Sequence, residues 1–179
     1  ILNRAVETDL VVKNVAVGIN PYIDNEEKEE KRILSDEEIQ ILLEKSKNSQ
    51  LYFFFKIALG TGMRVGEILG LTWDCIDFEH GMIYVRKTLC YLPNNGVAVY
   101  EFHFPKTREG KREIPMTKEV RDILIEQKKK KDRIAVRHNP RVGMEDLVYC
   151  SKTNNSINEA NIRSAIRYLV VKINRENPD

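Results

Sequence analysis

The chain runs through helical and strand periodicities in a definite order. Leu2, Val6 and Leu10, with Val11 or Val12, fall on one face of a helix closing near residue 12. Residues 14–32 keep no sustained period, contain Gly18 and Pro21 and finish in a charge run, the pattern of a linker between domains. Ser35-Asp36-Glu37-Glu38 is a capping box, in which Ser35 caps the coming helix and Glu38 reaches back. That helix turns Ile39, Leu42 and Leu43 inward and ends near Lys47. Residues 50–60, QLYFFFKIALG, are apolar almost all round and predict a core helix; they are too short for a membrane span.

Beyond Leu71 the period falls to two. Ile76 and Phe78, the turn Glu79-His80-Gly81, then Ile83 and Val85 predict a hairpin. Further strands are expected at 97–104, behind the turn Pro93-Asn94-Asn95-Gly96, and at 112–115, behind a polar loop at 107–111. Thr117 caps a helix with Val120, Ile123, Leu124 and Gln127 along one side. After a loop at 136–146 and a short apolar piece at 147–150, a last helix begins at Ser156 or Asn158. Its stripe of Ile162, Ala165, Ile166, Leu169, Val170 and Ile173 is expected to pack on the core. The fold class is α+β: mainly helical, with a small three-stranded antiparallel sheet on one flank.

Composition narrows this picture. A chain of 179 residues, 42% hydrophobic and 31% charged, suits one soluble domain of ordinary size plus a tail. The start, ILNRAVETDL, has neither an initiator Met nor the basic-then-apolar order of a signal peptide, which suggests an excerpt of a longer protein. Cys75, Cys90 and Cys150 are too widely spaced for a zinc site and odd in number for a disulfide framework, so a reducing cytoplasm is the simplest compartment. The net charge of +2 conceals an uneven distribution: residues 103–141 hold 13 Lys or Arg against 6 Asp or Glu. The run Lys128–Lys131 reads either as a solvated helix end or as a surface that follows phosphates.

The chemistry centres on residues 61–71, TGMRVGEILGL. Gly60 and Gly62 flank Thr61 and can adopt the dihedrals that end a helix, so that a new short helix starts at Arg64. A guanidinium there lies near unpaired N–H groups at the positive end of a helix dipole, and it can grip two oxygens of a phosphate at once. Glu67, one turn on, can hold it in place. The same residues also fit an ordinary exposed Arg–Glu pair.

TGMRVGEILGL, followed by TWDCIDFEHGMIYV and then PKTREGKREIPM, resembles the catalytic domain of the tyrosine recombinases. It is most similar to the integrases of phages and of conjugative transposons in low-GC Gram-positive bacteria. The resemblance runs from Ile33 to the end. It implies residues 1–13 as the end of the last helix of a preceding DNA-clamping domain, 14–32 as the interdomain linker and 33–179 as the N-terminal part of the catalytic domain. It further implies that Arg64 binds the scissile phosphate, that Glu67 braces it, and that Lys106 reaches the minor groove and the leaving oxygen. Lys106 as one more phosphate-touching lysine in a basic loop is the plainer alternative. Arg108, Lys111 and Arg112 on the same hairpin are candidate DNA contacts. So is His103, for which a plain strand residue is the alternative.

The family's second box, His-x-x-Arg with a following His or Ser and Thr, and its late nucleophilic Tyr have no match here. His138-Asn139-Pro140-Arg141 has the spacing, but Pro140 breaks a helix and the order is wrong. None of the seven tyrosines sits in a nucleophile's context; Tyr168, mid-helix among basic residues, comes nearest. The resemblance therefore implies a site-specific recombinase that works on double-stranded DNA as a homo-oligomer, without metal, nucleotide, membrane or small-molecule substrate. This stretch alone would lack strand cleavage. A non-catalytic DNA-binding remnant or regulator is the alternative. An unrelated helical protein whose basic hairpin binds RNA or an acidic partner is a further one.

Overall fold

The computed structural model describes residues 2–17, 33–94, 97–104 and 110–176. The chain divides into two compact units, Ile1–Leu34 and Ser35–Asp179.

In the first unit, helix α1 spans Leu2–Glu7 and stops five residues short of the end that periodicity suggests. Asp9 takes a left-handed φ of 56°. Its N–H then donates to the Val6 carbonyl at 3.1 Å, and the Leu10 N–H to the Ala5 carbonyl at 2.9 Å, closing a Schellman turn. Leu10 and Val12 are consequently exposed rather than on a helical face. Most of the expected linker, residues 18–32, lies outside the described residues.

The second unit is built around one apolar helix. Helix α2 (Asp36–Ser46) begins at the Ser35 box, with Glu38 accepting from the Ser35 N–H at 2.8 Å and Ser35 accepting from the Glu38 N–H at 3.3 Å. Helix α3 (Gln50–Thr61) buries Leu51, Phe53, Phe54, Phe55 and Ile57. Its Phe53 ring stacks on Tyr149 at 5.6 Å between centroids. Gly60 lies inside α3, not at its end, and a Cβ there would stand 2.5 Å from the Val120 side chain. Gly62, with φ 63°, is the residue that closes the helix.

Helix α4 (Val65–Leu69) and a 3₁₀ turn (Trp73–Cys75) lead to strands β1 (Ile76–Asp77), β2 (Met82–Val85), β3 (Thr88–Asn94), β4 (Val97–His103) and β5 (Arg112–Pro115). The three-stranded antiparallel sheet is present in the order β1-β2-β5. The strand at 97–103 does not join it, but pairs with β3 in a separate antiparallel ribbon that sets Thr88 opposite His103. Strand alternation says which face a side chain takes, not which strand it pairs with.

Helix α5 (Lys118–Ala135), capped by Thr117 accepting from the Val120 N–H at 3.3 Å, packs on α3. Leu147, Val148, Tyr149 and Cys150 are buried, and the Val148 N–H donates to the Leu71 carbonyl at 2.9 Å. Helix α6 (Glu159–Glu176) packs against α2, α3 and α4. It buries Ile162 and half-covers Ala165, Ile166 and Leu169, while Val170 stays exposed. The unit is thus mixed α+β, with small antiparallel sheets beside a helical body.

Candidate functional site

The local fold around Arg64 is determined by the turn before it. Thr61 donates from its hydroxyl to the Ile57 carbonyl at 2.6 Å and accepts from the Met63 N–H at 3.3 Å, locking the exit from α3. Met63 is buried, which fixes the direction of the next residue. Arg64 is the N-cap of α4 with extended dihedrals, φ −69° and ψ 154°. Its side chain is 79% exposed, yet it is tethered.

The tether is Glu67, whose buried carboxylate accepts four N–H bonds. The Arg64 backbone N–H reaches Oε2 at 2.8 Å, and the Arg64 guanidinium reaches Oε1 from Nη1 at 3.1 Å. Arg112 adds two parallel bonds, Nη1 to Oε1 at 2.9 Å and Nη2 to Oε2 at 2.7 Å. Burial alone would raise the pKa of this carboxyl, but the Arg112 bonds and the two from Arg64 outweigh it and hold it at about 2. The cluster is two cations on one anion and carries one net positive charge. Because Glu67 occupies the first turn of a five-residue helix, the guanidinium rather than a helix dipole is the anion-binding element here.

Sequence spacing pointed to Glu67 but not to its stronger partner. Arg112 arrives by strand pairing: β5 sets it opposite Val85, with Arg112 and Ile114 half-buried and Glu113 and Pro115 exposed in alternation. The pK of its guanidinium is raised by the Glu67 hydrogen bonds, so it stays charged throughout. No local pattern announces a contact 45 residues apart.

Arg64 forms part of the rim of an open hollow of about 960 Å³ between α4, the β3–β4 ribbon and the start of α6. Thr88, Tyr91, Tyr100, Asn158 and Arg163 also line it. The ribbon lies directly on α4: a Cβ at Gly70 would meet the Leu89 backbone nitrogen at 2.6 Å. His103, across the ribbon from Thr88, is exposed, with Nε2 3.7 Å from Glu101. Lys111 is exposed beside Arg112 and has no ion pair among the described residues. Lys106 and Arg108 lie outside the described residues.

Several other candidates find quieter places. Arg141 of the His-x-x-Arg look-alike stacks over Tyr100 at 5.5 Å, and neither it nor His138 touches Glu67. Tyr149, which donates to the Gln50 carbonyl at 3.2 Å, is a core residue whose phenol burial pushes up. Tyr168 is exposed on α6. Lys128–Lys131 do not form one surface: Lys128 sits over Trp73 at 5.7 Å, Lys130 pairs with Glu126 at 2.8 Å, and Lys131 is buried. Among the described residues no helix is long and apolar enough to cross a membrane.

Fold and site together define a mixed α+β domain that displays a braced arginine beside an open, aromatic-lined hollow. A family model described as the phage integrase family matches residues 26–179, and the chain belongs to that family. It is 31% identical over 173 residues to a tyrosine recombinase XerC-like protein of Caldanaerobacter subterraneus subsp. tengcongensis, covering 89% of this chain and 44% of the relative. It is 26% identical over 182 residues to the transposase from transposon Tn916 of Enterococcus faecalis, covering 98% and 43%. The Tn1549 transposon integrase, solved in complex with a circular intermediate DNA, shares the fold with a TM-score of 0.75. That match has 24% identity and covers 99% of this chain and 56% of the other. The chain thus spans less than half the length of these two curated relatives.

Proposed function

We propose that Arg64 grips a backbone phosphate of duplex DNA, and that the whole protein is a site-specific recombinase that integrates or excises a mobile element. The observation that supports this reading is the four-bond carboxylate of Glu67, which holds an exposed guanidinium at a fixed angle beside a hollow. A fixed cation lowers the cost of charge developing on a phosphoryl oxygen, because nothing must reorganise when the reaction proceeds. In such a protein a tyrosine oxygen bonds to phosphorus while the bond to the 5′ oxygen breaks, leaving a 3′-phosphotyrosyl link. The departing 5′ oxygen takes up a proton, a task that suits the ammonium of Lys106. Arg108, Lys111 and His103 then follow neighbouring DNA, while Arg112, also a candidate DNA contact by its place on the hairpin, braces Glu67. The covalent link conserves the energy of the cut bond, so rejoining needs no nucleotide and no metal. The working form is a homo-oligomer on DNA in the bacterial cytoplasm.

On this reading the 179-residue chain binds DNA but does not cut it, since it holds neither a second arginine box nor a suitably placed tyrosine. A suicide duplex carrying a nick tests that: no covalent protein–DNA band is expected, and a band would refute it. A role as a non-catalytic remnant that occupies recombination sites remains the second reading. The exposed yet braced Arg64 favours neither, and the gene sequence downstream of Asp179 decides between them. A His-x-x-Arg box and a late tyrosine there support the enzyme.

A further inference from the structure

Five of the thirteen Lys and Arg residues between positions 103 and 141 are engaged with other side chains. Arg112 is clamped on Glu67, Arg121 lies over Phe78, Lys128 over Trp73, Arg141 over Tyr100, and Lys130 on Glu126. Two of the others, Arg133 and Arg137, meet His138 and a later lysine, Lys152, at one place. Arg133, Arg137, His138 and Lys152 line a hollow of about 460 Å³ at the end of α5, together with Ile134 and Val136. No carboxylate lines it, and none of the four basic side chains forms an ion pair among the described residues.

The hollow is held in shape. Asn154, buried and in a left-handed turn with φ 58°, donates from Nδ2 to the His138 carbonyl at 2.9 Å. The Ser151 N–H donates to the Asn155 carbonyl at 2.8 Å, closing the loop that carries Lys152, and the Asn154 bond ties that loop to the segment after α5. Arg133 is anchored through Nε to the Lys129 carbonyl at 3.1 Å, which leaves its two terminal nitrogens free to face outward. A helix C-terminus attracts cations, but its dipole amounts to roughly half a charge. Three full charges and an imidazole exceed that severalfold.

We propose that this hollow is a second seat for the backbone phosphates of duplex DNA, sharing no lining residue with the one at Arg64. The inference rests on the reading of the chain as a duplex-binding protein. Contacts to backbone phosphates carry no sequence information, so its cations add affinity without sequence preference. Their role is to anchor the duplex away from the phosphate that Arg64 grips.

The test is fluorescence anisotropy of the 179-residue chain with a labelled duplex across a series of salt concentrations. It compares wild type, the double variant Arg137→Ala/Lys152→Ala, Arg64→Ala, and, as a control, Lys47→Ala at the C-cap of α2. Loss of two phosphate contacts is expected to lower the slope of log affinity against log salt by about 2, and to weaken binding roughly thirtyfold near 0.15 M salt. The loss should be equal for a candidate site and a scrambled duplex, with Lys47→Ala unchanged. A double variant with wild-type affinity and slope, while Arg64→Ala still binds weakly, overturns this proposal and leaves the reading of Arg64 intact. Failure of the wild type to bind any duplex sinks both. Preference for single-stranded RNA, lost in the double variant, would make RNA the occupant and likewise overturn the proposal.

Discussion

Arg112 holds Glu67 by two parallel N–H bonds of 2.7 and 2.9 Å, and through that carboxylate it governs where Arg64 can point. The pair joins the last strand of the sheet to the short helix that starts at Arg64. Glu67 is buried, Arg112 is about one-third exposed, and Arg64 is almost free of cover. Order is therefore passed outward from the buried member to the exposed one. An arginine on a flexible stem gains a fixed orientation at a surface where it would otherwise lose it.

Arg112→Ala is expected to leave Glu67 with only the two bonds from Arg64. Partial loss of partners for a buried carboxylate costs about 2–4 kcal/mol. Urea unfolding followed by circular dichroism measures this directly. Arg112→Lys should recover only part of the loss, because an ammonium cannot make two parallel bonds. A wild-type urea midpoint for Arg112→Ala would show that the clamp contributes nothing.

Acid should dissolve the same cluster. The folded-state pKa of Glu67, about 2, lies below its ordinary value of 4.5. A lowered folded pKa contributes stability that is complete above the unfolded value and fades as pH falls from 4.5 toward 2. The contribution at neutral pH is about 3 kcal/mol. Glu67→Gln should be less stable at pH 7 and show a flatter fall in urea midpoint between pH 5 and about 2.5. Parallel curves for the two proteins would contradict the assignment.

Gly70 permits the β3–β4 ribbon to lie on α4. Gly70→Ala places a methyl group 2.6 Å from the Leu89 backbone nitrogen and 3.0 Å from the Thr88 carbonyl carbon, and backbone cannot swing away as a side chain can. A loss of about 1–3 kcal/mol is expected, with weakened protection of β3 amides in hydrogen exchange. Unchanged protection there would mean the ribbon moves freely.

Lys131 turns its chain into the core, and its ammonium has no hydrogen-bond partner among the described residues. Burying an ammonium that no hydrogen bond satisfies costs more than burying a thioether of similar length. Lys131→Met should therefore raise the urea midpoint by about 1–2 kcal/mol equivalent. A lower midpoint would mean that the ammonium finds a partner the fold does not reveal.

Features set within three or four residues were legible in the chain: the Ser35 box, the Thr117 cap, the turn at Gly62 and the Arg64–Glu67 pair. The end of α1 was not, because Asp9 adopts a left-handed turn that glycine usually supplies. Strand positions were readable from alternation, whereas alternation does not name a partner: 97–103 pairs with 88–94 and not with the β1-β2-β5 sheet. Arg112 looked like one more cation of a basic hairpin, since nothing local distinguishes a guanidinium that meets phosphate from one that meets a distant carboxylate. The run Lys128–Lys131, which left a solvated helix end and a phosphate-following surface both open, is divided by the helix itself. Successive positions on a helix point about 100° apart, so four adjacent lysines cannot share a face.

The central claim is that a braced guanidinium at position 64 holds a DNA phosphate. The most direct measurement is duplex affinity against salt for wild type, Arg64→Lys and Arg64→Ala at matched stability. Arg64→Ala should lose about one phosphate's worth of salt slope, and Arg64→Lys should keep the slope yet bind more weakly, for want of a two-pronged grip. Identical affinity and slope for all three proteins would contradict the account.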